Sequence, residues 1–281
     1  MKEKNIHWFP GHMKKALNNV EKKMSMIDVV IEILDARAPL SSMNPFLEEK
    51  IQHKPRLFLL SKSDLADPSE NEKWIAHFTH DNQKAIIGNL NDKEIIEDIK
   101  KILPELAIKK REKEERRGMK PQAIKTMIIG IPNVGKSTLI NKIVSRQSAG
   151  VQNKPGFTKS DQWIRLDNDL VLLDTPGILP MNYENKENAA KLALIGSIRD
   201  DILPYDVLAE DLLNILKEHY SDSLKERFDI ENITTPTEVI EAIAKRRGLL
   251  SSGKLDLEKA EKLLLQEFKD GLLGQITLER I

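Results

Sequence analysis

Short apolar runs are separated by amphipathic stretches between residues 28 and 173, and this pattern predicts strands that alternate with helices. The runs are rich in β-branched residues and nearly continuous, which is typical of parallel strands buried on both faces of a sheet. We predict strands at residues 28–34, 56–60, 85–87, 126–129 and 170–173. From residue 189 onward helical periodicity dominates. The pattern therefore predicts an α/β fold with a doubly wound, largely parallel sheet in residues 1–185, followed by a small all-α domain in residues 186–281.

A glycine-rich turn lies between the fourth predicted strand and a predicted helix. Residues 130–138 read Gly-Ile-Pro-Asn-Val-Gly-Lys-Ser-Thr and fit the phosphate-loop pattern G-x-x-x-x-G-K-[ST]. In such a loop the backbone N–H groups and the helix dipole face the phosphates. Gly135 allows close approach of the backbone, Lys136 reaches the terminal phosphates, and the Ser137 hydroxyl is a ligand for Mg²⁺. The alternative is a chance glycine-rich turn, and the match of both flanking segments weighs against it.

Polar residues suited to nucleotide recognition follow two other predicted strands, at the end where open α/β sheets bind ligands. Asp64 closes the sequence Ser61-Lys62-Ser63-Asp64, and its carboxylate can accept hydrogen bonds from N1 and N2 of guanine. Asp174 is placed to hold Mg²⁺, the N–H of Gly177 can reach a γ-phosphate, and the loop at 153–159 offers the Thr158 hydroxyl. Each motif alone also fits a polar surface turn, so its weight comes from the nearby phosphate loop.

The composition narrows the class of protein. The chain has 281 residues, enough for about two domains, and no cysteine, which excludes a disulfide framework and cysteine metal sites. No apolar run is long enough to span a bilayer and the N-terminus lacks a signal-peptide core, so we expect a cytoplasmic protein without a membrane partner. The formal net charge is zero, but residues 195–281 carry 12 basic and 18 acidic side chains, which leaves the first part positive. That asymmetry permits contact of the first part with nucleic acid without requiring it.

The nucleotide motifs occur in an unusual order. The base-recognition motif at 61–64 comes first, and the phosphate loop, Thr158 and the Asp-Thr-Pro-Gly motif at 174–177 follow it. This is the order of the circularly permuted GTPases. Further motifs stand at residues 8–13 (Trp-Phe-Pro-Gly-His-Met), 35–39 (Asp-Ala-Arg-Ala-Pro), 191–200, 244–248 and 274–279. Over nearly its whole length the chain resembles the circularly permuted GTPases of the YlqF/RbgA type, the ribosome biogenesis GTPase A family.

The resemblance implies a circularly permuted P-loop GTPase domain with GTP as substrate and Mg²⁺ as cofactor. It implies nucleotide contacts at Ser61, Lys62, Ser63, Asp64, Asn89, Leu90, Asn133, Val134, Gly135, Lys136, Ser137, Thr138, Thr158 and Gly177. The Mg²⁺ ligands would be Ser137, Thr158 and Asp174. An asparagine at position 133 is shared with GTPases that use K⁺ beside the β–γ bridge, so the resemblance also implies K⁺ at Asn133.

The residue that orients the attacking water is not the usual one. Ile178 stands where Ras-like GTPases carry a glutamine. In the family that this chain resembles, the histidine of the Pro-Gly-His sequence has been proposed for the role, and this histidine corresponds to His12. An imidazole can orient or polarise water. A packing or helix-start histidine has equal weight as an interpretation of His12.

The resemblance implies a role in late assembly of the large ribosomal subunit. The partners would be the subunit precursor, rRNA and ribosomal proteins, with no DNA. Lys245-Arg246-Arg247 would be an RNA contact or else a solvated helix end. Two other classes stay open: a signalling GTPase with protein partners only, and a metabolic enzyme that transfers phosphate to a small acceptor.

The path of the chain after the phosphate motifs predicts how hydrolysis is coupled to output. Residues 178–186 lead from Gly177 straight into the helical domain, with no further sheet strand predicted. Ordering of Gly177 by a γ-phosphate would therefore reorient that domain.

Overall fold

The computed structural model of the chain describes residues 11–148, 163–175, 186–199, 203–230 and 235–281. The helices in these ranges are α1 Gly11–Met24, α2 Pro45–Ile51, α3 Pro68–Phe78, α4 Glu94–Leu106, α5 Ile108–Arg116, α6 Lys136–Ser148, α7 Lys186–Leu194, α8 Tyr205–His219, α9 Ser221–Phe228, α10 Pro236–Arg246 and α11 Leu257–Lys269. The strands are β1 Val29–Asp35, β2 Arg56–Ser61, β3 Gln83–Gly88, β4 Ile124–Ile129, β5 Trp163–Asp167, β6 Leu170–Asp174, β7 Leu250–Ser251 and β8 Lys254–Leu255. Within the same ranges, none of the helices has the length and apolar character needed to cross a membrane.

Strands β1 to β6 form one sheet in the order β3-β2-β1-β4-β6-β5. All neighbouring pairs are parallel except β5 and β6, which are antiparallel. Helices pack on both faces, so the prediction of an α/β fold with a doubly wound, largely parallel sheet is confirmed. The carboxyl ends of the parallel strands lie along one edge, where open α/β sheets bind ligands.

Strand β5 is absent from the set predicted from the sequence. Among the described strands it lies at the edge of the sheet and pairs with β6 alone, and the burial of its side chains alternates along the strand. With Arg165 and Asp167 at its exposed positions, it lacks the continuous apolar run that identified the buried strands.

Strand β1 shows why the central strands have nearly continuous apolar sequences. All seven of its residues are buried. Val29 and Ile31 belong to the cluster on one face, and Val30 belongs to the cluster on the other. Because successive side chains point to opposite faces and both faces are covered, a polar side chain here needs a buried partner. The two exceptions to the apolar run, Glu32 and Asp35, both have such partners.

Helices α7 to α11 follow the sheet in sequence and share its core. Leu208, Leu212 and Leu216 of α8 are buried and belong to the same contiguous hydrophobic cluster as residues of β1 and β4. Helix α10 begins at a capping box, in which the Thr235 hydroxyl accepts from the Glu238 N–H and the Glu238 carboxylate accepts from the Thr235 N–H.

The prediction that the last part of the chain is all-helical needs one correction. Strands β7 and β8 form a small antiparallel hairpin. Its turn residues Ser252 and Gly253 have φ values of 51° and 77°, as in the two-residue turns that match the twist of paired strands. Strands of two residues are too short to produce a periodic hydrophobic pattern, so the sequence did not reveal them.

Candidate nucleotide-binding site

The phosphate loop, residues 130–138, joins β4 to α6 at the carboxyl edge of the sheet. Asn133 has a left-handed backbone, with φ at 61°. Lys136 is buried, and its ammonium group donates hydrogen bonds to the carbonyls of Gly130 (3.0 Å) and Ile131 (2.7 Å). A positive charge thus lies inside the loop at the N-terminus of α6, where the helix dipole also favours an anion. This is the strand–loop–helix arrangement that the sequence motif requires.

Two glycines of the phosphate loop have close neighbours and positive φ. A Cβ atom on Gly130 would lie 2.6 Å from the carbonyl oxygen of Ile33 in β1, and one on Gly135 would lie 2.4 Å from Cδ1 of Leu90. Both glycines also have positive φ, at 154° and 100°. At Gly130 the neighbour is backbone, so a larger residue would push the loop away from β1. At Gly135 the neighbour is the end of a flexible side chain, and glycine is favoured there mainly by the positive φ.

The base loop, residues 61–65, follows β2 at the same edge of the sheet. Lys62 has φ at 58°, and Ser63–Leu65 form a single 3₁₀ turn that leaves Asp64 exposed. Ser61 is fully buried, and its hydroxyl lies 2.7 Å from the carbonyl oxygen of Val134 and 2.9 Å from that of Leu34. The Ser61 hydroxyl therefore connects the base loop directly to the phosphate loop.

A cleft of about 210 Å³ opens between these two loops. It is lined by Lys62, Asp64, Asn89, Leu90, Asn91, Asn133, Val134, Gly135 and Thr138. All of these except Asn91 are among the nucleotide contacts predicted from the sequence. Asn91 was missed, although its N–H donates to the side chain of the predicted residue Asn89 at 2.9 Å. The fold thus brings the base loop, the loop after β3 and the phosphate loop to one place.

A larger groove, of about 920 Å³, lies elsewhere on the sheet. It is formed by residues 52–54 and 79–84, at the amino ends of β2 and β3. It contains none of the nucleotide motifs, so the chemistry of the lining residues, and not cavity size, identifies the smaller cleft as the candidate site.

A buried ion pair supports the base loop and was not among the predicted site residues. Asp35, at the end of β1, accepts hydrogen bonds from Arg37 Nε (3.0 Å) and Nη2 (2.9 Å) and pairs with Lys62 Nζ at 2.8 Å. Burial alone would raise the pKa of Asp35, but Arg37 and Lys62 hold it below its usual value. The ionised carboxylate therefore holds Lys62 of the base loop. The signal in the sequence was Asp-Ala-Arg-Ala-Pro at the end of a predicted strand.

Two hydrogen bonds join this region to the turn after α7. The side-chain amide nitrogen of Asn133 donates to the carbonyl of Gly196 at 2.8 Å, and Arg37 Nη2 donates to the carbonyl of Ile195 at 3.2 Å. We call α7 to α11 and their connections the helical part. It contacts the phosphate loop and the Asp35–Arg37 pair through the adjacent carbonyls of Ile195 and Gly196.

The remaining predicted site residues are only partly described. His12 lies in the first turn of α1, and Asp174 ends β6 opposite Ile128 of β4, but the side chains of both fall outside the described part. Ser137 lies in the first turn of α6 with an exposed side chain. Thr158 and Gly177 lie outside the described residues, as does the position of Ile178.

Two of the three basic residues at 245–247 form ion pairs within the protein. Arg246 pairs with Asp229 at 2.6 Å, and Arg247 pairs with Glu267 at 3.4 Å. Both arginines are partly exposed, so the interpretations as a helix end with ion pairs and as an RNA contact both stay open.

Comparison with protein families and curated proteins supports the reading of these motifs. A family model described as 50S ribosome-binding GTPase matches residues 125–237. Ribosome biogenesis GTPase A of Bacillus cereus is 42% identical over 276 residues, which cover 98% of this chain and 93% of that protein. The protein of the same name from Thermotoga maritima is 30% identical over 276 residues, covering 98% of this chain and 94% of that protein.

Two solved structures are also similar. The GDP-bound structure of TM YlqF has 26% sequence identity and a TM-score of 0.67, covering 93% of this chain and 98% of that chain. GNP-bound YlqF from T. maritima has 27% identity and a TM-score of 0.63, covering 95% of this chain and 98% of that chain. The similarity therefore extends over the helical part as well as the sheet.

Proposed function

The chain belongs to the ribosome biogenesis GTPase A family, and from that premise we propose that its hydrolysis of GTP serves late maturation of the large ribosomal subunit. The GTP-bound protein binds precursor particles, in contact with rRNA and ribosomal proteins, and leaves after hydrolysis. The observation that carries the proposal is the single cleft in which a base loop and a phosphate loop meet, in a chain similar over 98% of its length to ribosome biogenesis GTPases.

The test is co-sedimentation of the purified protein with ribosomal particles in the presence of GTP, GDP or a non-hydrolysable GTP analogue. We expect binding to large-subunit precursors with the analogue and weaker binding with GDP. The alternative, a signalling GTPase with protein partners only, predicts no co-sedimentation in any nucleotide state. Binding that does not depend on the nucleotide would contradict the proposed cycle.

Asp64 selects guanine in this proposal. Its carboxylate is exposed at the cleft, and guanine offers two donors, N1–H and N2–H, to one carboxylate. Asp64→Asn exchanges an acceptor for a donor and should shift preference toward xanthine nucleotides. Calorimetric titration of the wild type with GDP and ADP tests the assignment, since equal affinities would exclude it.

Lys136 and the N-terminal turn of α6 hold the phosphates in this proposal, and Ser137, Thr158 and Asp174 hold Mg²⁺. The described residues fit such a site: Ser137 is exposed beside the loop, and the Thr175 hydroxyl donates to the Ile128 carbonyl at 2.6 Å, which ties the end of β6 to β4. Mg²⁺ held by these residues would supply positive charge to the phosphates of GTP. Thr158 and Gly177 sense the γ-phosphate.

His12 orients the attacking water in this proposal, since Ile178 cannot. His12→Ala should lower kcat by roughly 10²-fold, as is typical for loss of a general acid–base group, with little change in the Kd for GTP. His7→Ala is the matched control, because His7 lies outside the Pro-Gly-His motif. Equal rates for wild type and His12→Ala would make His12 a packing residue.

Asn133 would hold a K⁺ ion in this proposal, and the ion would supply positive charge beside the phosphates. The contact of the Asn133 amide nitrogen with the Gly196 carbonyl orients the side chain and leaves its oxygen for a cation. K⁺ should stimulate hydrolysis more than Na⁺, and Asn133→Ala should abolish that difference. The same rate in both salts would show that Asn133 is only a loop residue.

Helix α5 offers a better RNA contact than residues 245–247. Lys109, Lys113 and Arg117 recur every four residues and line one groove of about 430 Å³ together with Lys54, at the amino edge of the sheet. Glu114, in the same groove, is already paired with Lys110 and Arg111 of α5. An RNA backbone can therefore occupy this face while the nucleotide occupies the opposite edge.

Charge-removal variants separate the two candidate RNA contacts. Alanine at Lys109, Lys113 and Arg117 should weaken binding to precursor particles and flatten its salt dependence. Alanine at residues 245–247 should act mainly on stability. The matched control is alanine at Lys50, Lys101 and Lys262, three cations that are each paired with a neighbouring carboxylate. If only the 245–247 variant changes the salt dependence, that cluster is the contact.

A further inference from the structure

The last residues of the chain return to the base loop. We call residues 275–281 the C-terminal strap. The N–H of Ile276 donates to the carbonyl of Leu65 at 3.0 Å, and the N–H of Leu278 donates to the carbonyl of Arg37 at 2.7 Å. Gln275 Nε2 also lies 3.4 Å from the carbonyl oxygen of Asp64. The strap therefore bonds to the base loop on one side and to the loop after β1 on the other.

Buried side chains anchor the strap to the loop after β1. The carboxylate of Glu279 accepts hydrogen bonds from the N–H groups of Leu40 (2.6 Å) and Ser41 (3.1 Å) and from the Ser41 hydroxyl. Glu279 is only 7% exposed, so these donors replace water almost completely. Removal of its charge would leave two backbone donors with a weaker acceptor.

Further anchors fix the strap to helix α3, which begins just after the base loop. The Thr277 hydroxyl accepts from the N–H of Asp67 at 3.0 Å, and the indole N–H of Trp74 donates to the carbonyl of Glu279 at 3.2 Å. Arg280 pairs with the fully buried Glu70 at 2.7 Å. The start of α3 and the base loop thus cannot shift without disturbing the strap.

The Asp35–Arg37 pair connects the same loop to the helical part. Asp35 holds Lys62 of the base loop and Arg37, and Arg37 donates to the carbonyl of Ile195 and lies over the ring of Phe268 in α11, 5.5 Å from its centroid. A short chain of contacts therefore runs from the turn after α7 and from α11 through the Asp35 carboxylate to Lys62, two positions before Asp64.

We propose that the C-terminal strap and the Asp35–Arg37 pair are positioning elements of the guanine site, so that guanine affinity depends on docking of the strap and the helical part. The inference rests on the proposed function, since it takes Asp64 as the residue that reads guanine. The coupling is reciprocal: if docking of the strap strengthens nucleotide binding by a given factor, bound guanine nucleotide strengthens docking of the strap by the same factor. A partner that moves the helical part would therefore change nucleotide affinity through the strap and the Asp35–Arg37 pair.

Loosening the strap tests the proposal through base discrimination. Glu279→Gln should raise the Kd for GDP about tenfold, a typical coupling, and should narrow the preference for GDP over inosine diphosphate, whose base lacks the 2-amino group. Glu226→Gln, an exposed carboxylate on α9, is the matched control and should change neither quantity. A merely structural role would lower stability and leave the GDP to inosine diphosphate ratio unchanged, which would overturn the proposal.

Asp64→Ala distinguishes failure of this inference from failure of the proposed function. If Asp64 reads guanine, Asp64→Ala weakens GDP binding, and adding Glu279→Gln to it has little further effect. If Asp64→Ala leaves GDP affinity unchanged, the assignment of guanine recognition is wrong. If Asp64→Ala weakens binding and the effect of Glu279→Gln simply adds to it, the strap does not act through the base loop.

Hydrogen exchange of the wild-type protein provides a test without any variant. Saturating GDP should slow exchange of the Ile276 and Leu278 amides more than exchange of the Arg247 amide at the end of α10, which reports general stabilisation. Equal slowing of all three amides would overturn the proposal.

Discussion

Two acidic residues of strand β1, Glu32 and Asp35, lie three positions apart, and their pKa values are shifted in opposite directions. Both are buried, with 2% and 0% of their surface exposed, and both contact an arginine. Burial raises the pKa of Glu32 to about 7, even though Arg56 opposes the rise. Burial also acts on Asp35, yet its pKa lies below the ordinary value. Two almost equally buried carboxyl groups therefore have pKa values shifted in opposite directions.

The number of cations per carboxylate explains the difference. Arg56 Nη1 lies 3.4 Å from Glu32, but the same guanidinium also pairs with Glu48, so one cation serves two carboxylates. Asp35 has two cations of its own, Arg37 and Lys62, and accepts the Arg37 N–H at 3.1 Å as well. A buried carboxylate stays ionised when its partners more than offset the loss of water. Asp35, whose charge is compensated by two cations, is the carboxylate that contacts Lys62 at the nucleotide cleft.

The largest effect is expected from Asp35→Asn. It leaves the buried Arg37 and the partly exposed Lys62 without a counter-charge, so the free energy of unfolding should fall by about 3–5 kcal/mol, mainly through Arg37. Urea denaturation at pH 7 measures the loss. Asp167→Asn, an exposed carboxylate on β5, is the control and should stay within about 0.5 kcal/mol of wild type. A loss for Asp35→Asn as small as that of the control would mean that the pair contributes no net charge compensation.

A smaller effect, visible as pH dependence, is expected from Glu32→Gln. The folded-state pKa of Glu32, about 7, exceeds the ordinary 4.5, so the folded protein keeps a proton that the unfolded chain loses between these values. Through Glu32, the free energy of unfolding of the wild type should therefore fall by about 1–3 kcal/mol as the pH rises through this window. Glu32→Gln should remove this component, which denaturation at pH 5 and pH 8 measures. Parallel pH profiles for the two proteins would contradict the expectation. Asp35 contributes the opposite component, which is present above the ordinary pKa of Asp and lost on acidification.

The smallest effect is expected from Glu48→Gln. It removes a negative charge near Glu32 and leaves Arg56 to one carboxylate, so the pKa of Glu32 should move down toward its ordinary value. The cost in stability at pH 8 should stay under about 1 kcal/mol, because Glu48 is partly exposed. A carbon-detected NMR titration of the Glu32 carboxyl follows the shift. An unchanged titration would show that Glu48 does not contribute to the pKa of Glu32.

Local patterns in the sequence were sufficient for the central fold and the nucleotide loops. The five apolar runs correspond to β1, β2, β3, β4 and β6. In β1 and β2 every residue is buried, because strands covered on both faces must be apolar throughout. The phosphate loop was recognisable because its glycines and lysine are required at fixed spacing by a short local structure. The order of the motifs identified a circularly permuted GTPase, and the comparisons confirm that family. The catalytic role of His12 and the ligands of the metal ions stay predictions.

Only the tertiary structure decided which distant residues complete the site. The sequence does not show that Asp35 meets Lys62 while Glu32 shares Arg56, because both acidic residues stand in the same apolar run. Nor does it place Glu279 on the N–H of Leu40, 239 residues earlier. Such contacts depend on how strands and loops pack in space, and periodicity reports only the face on which a residue lies. For this reason the protonation state of Asp35 and the docking of the C-terminal strap could be determined only from the folded chain.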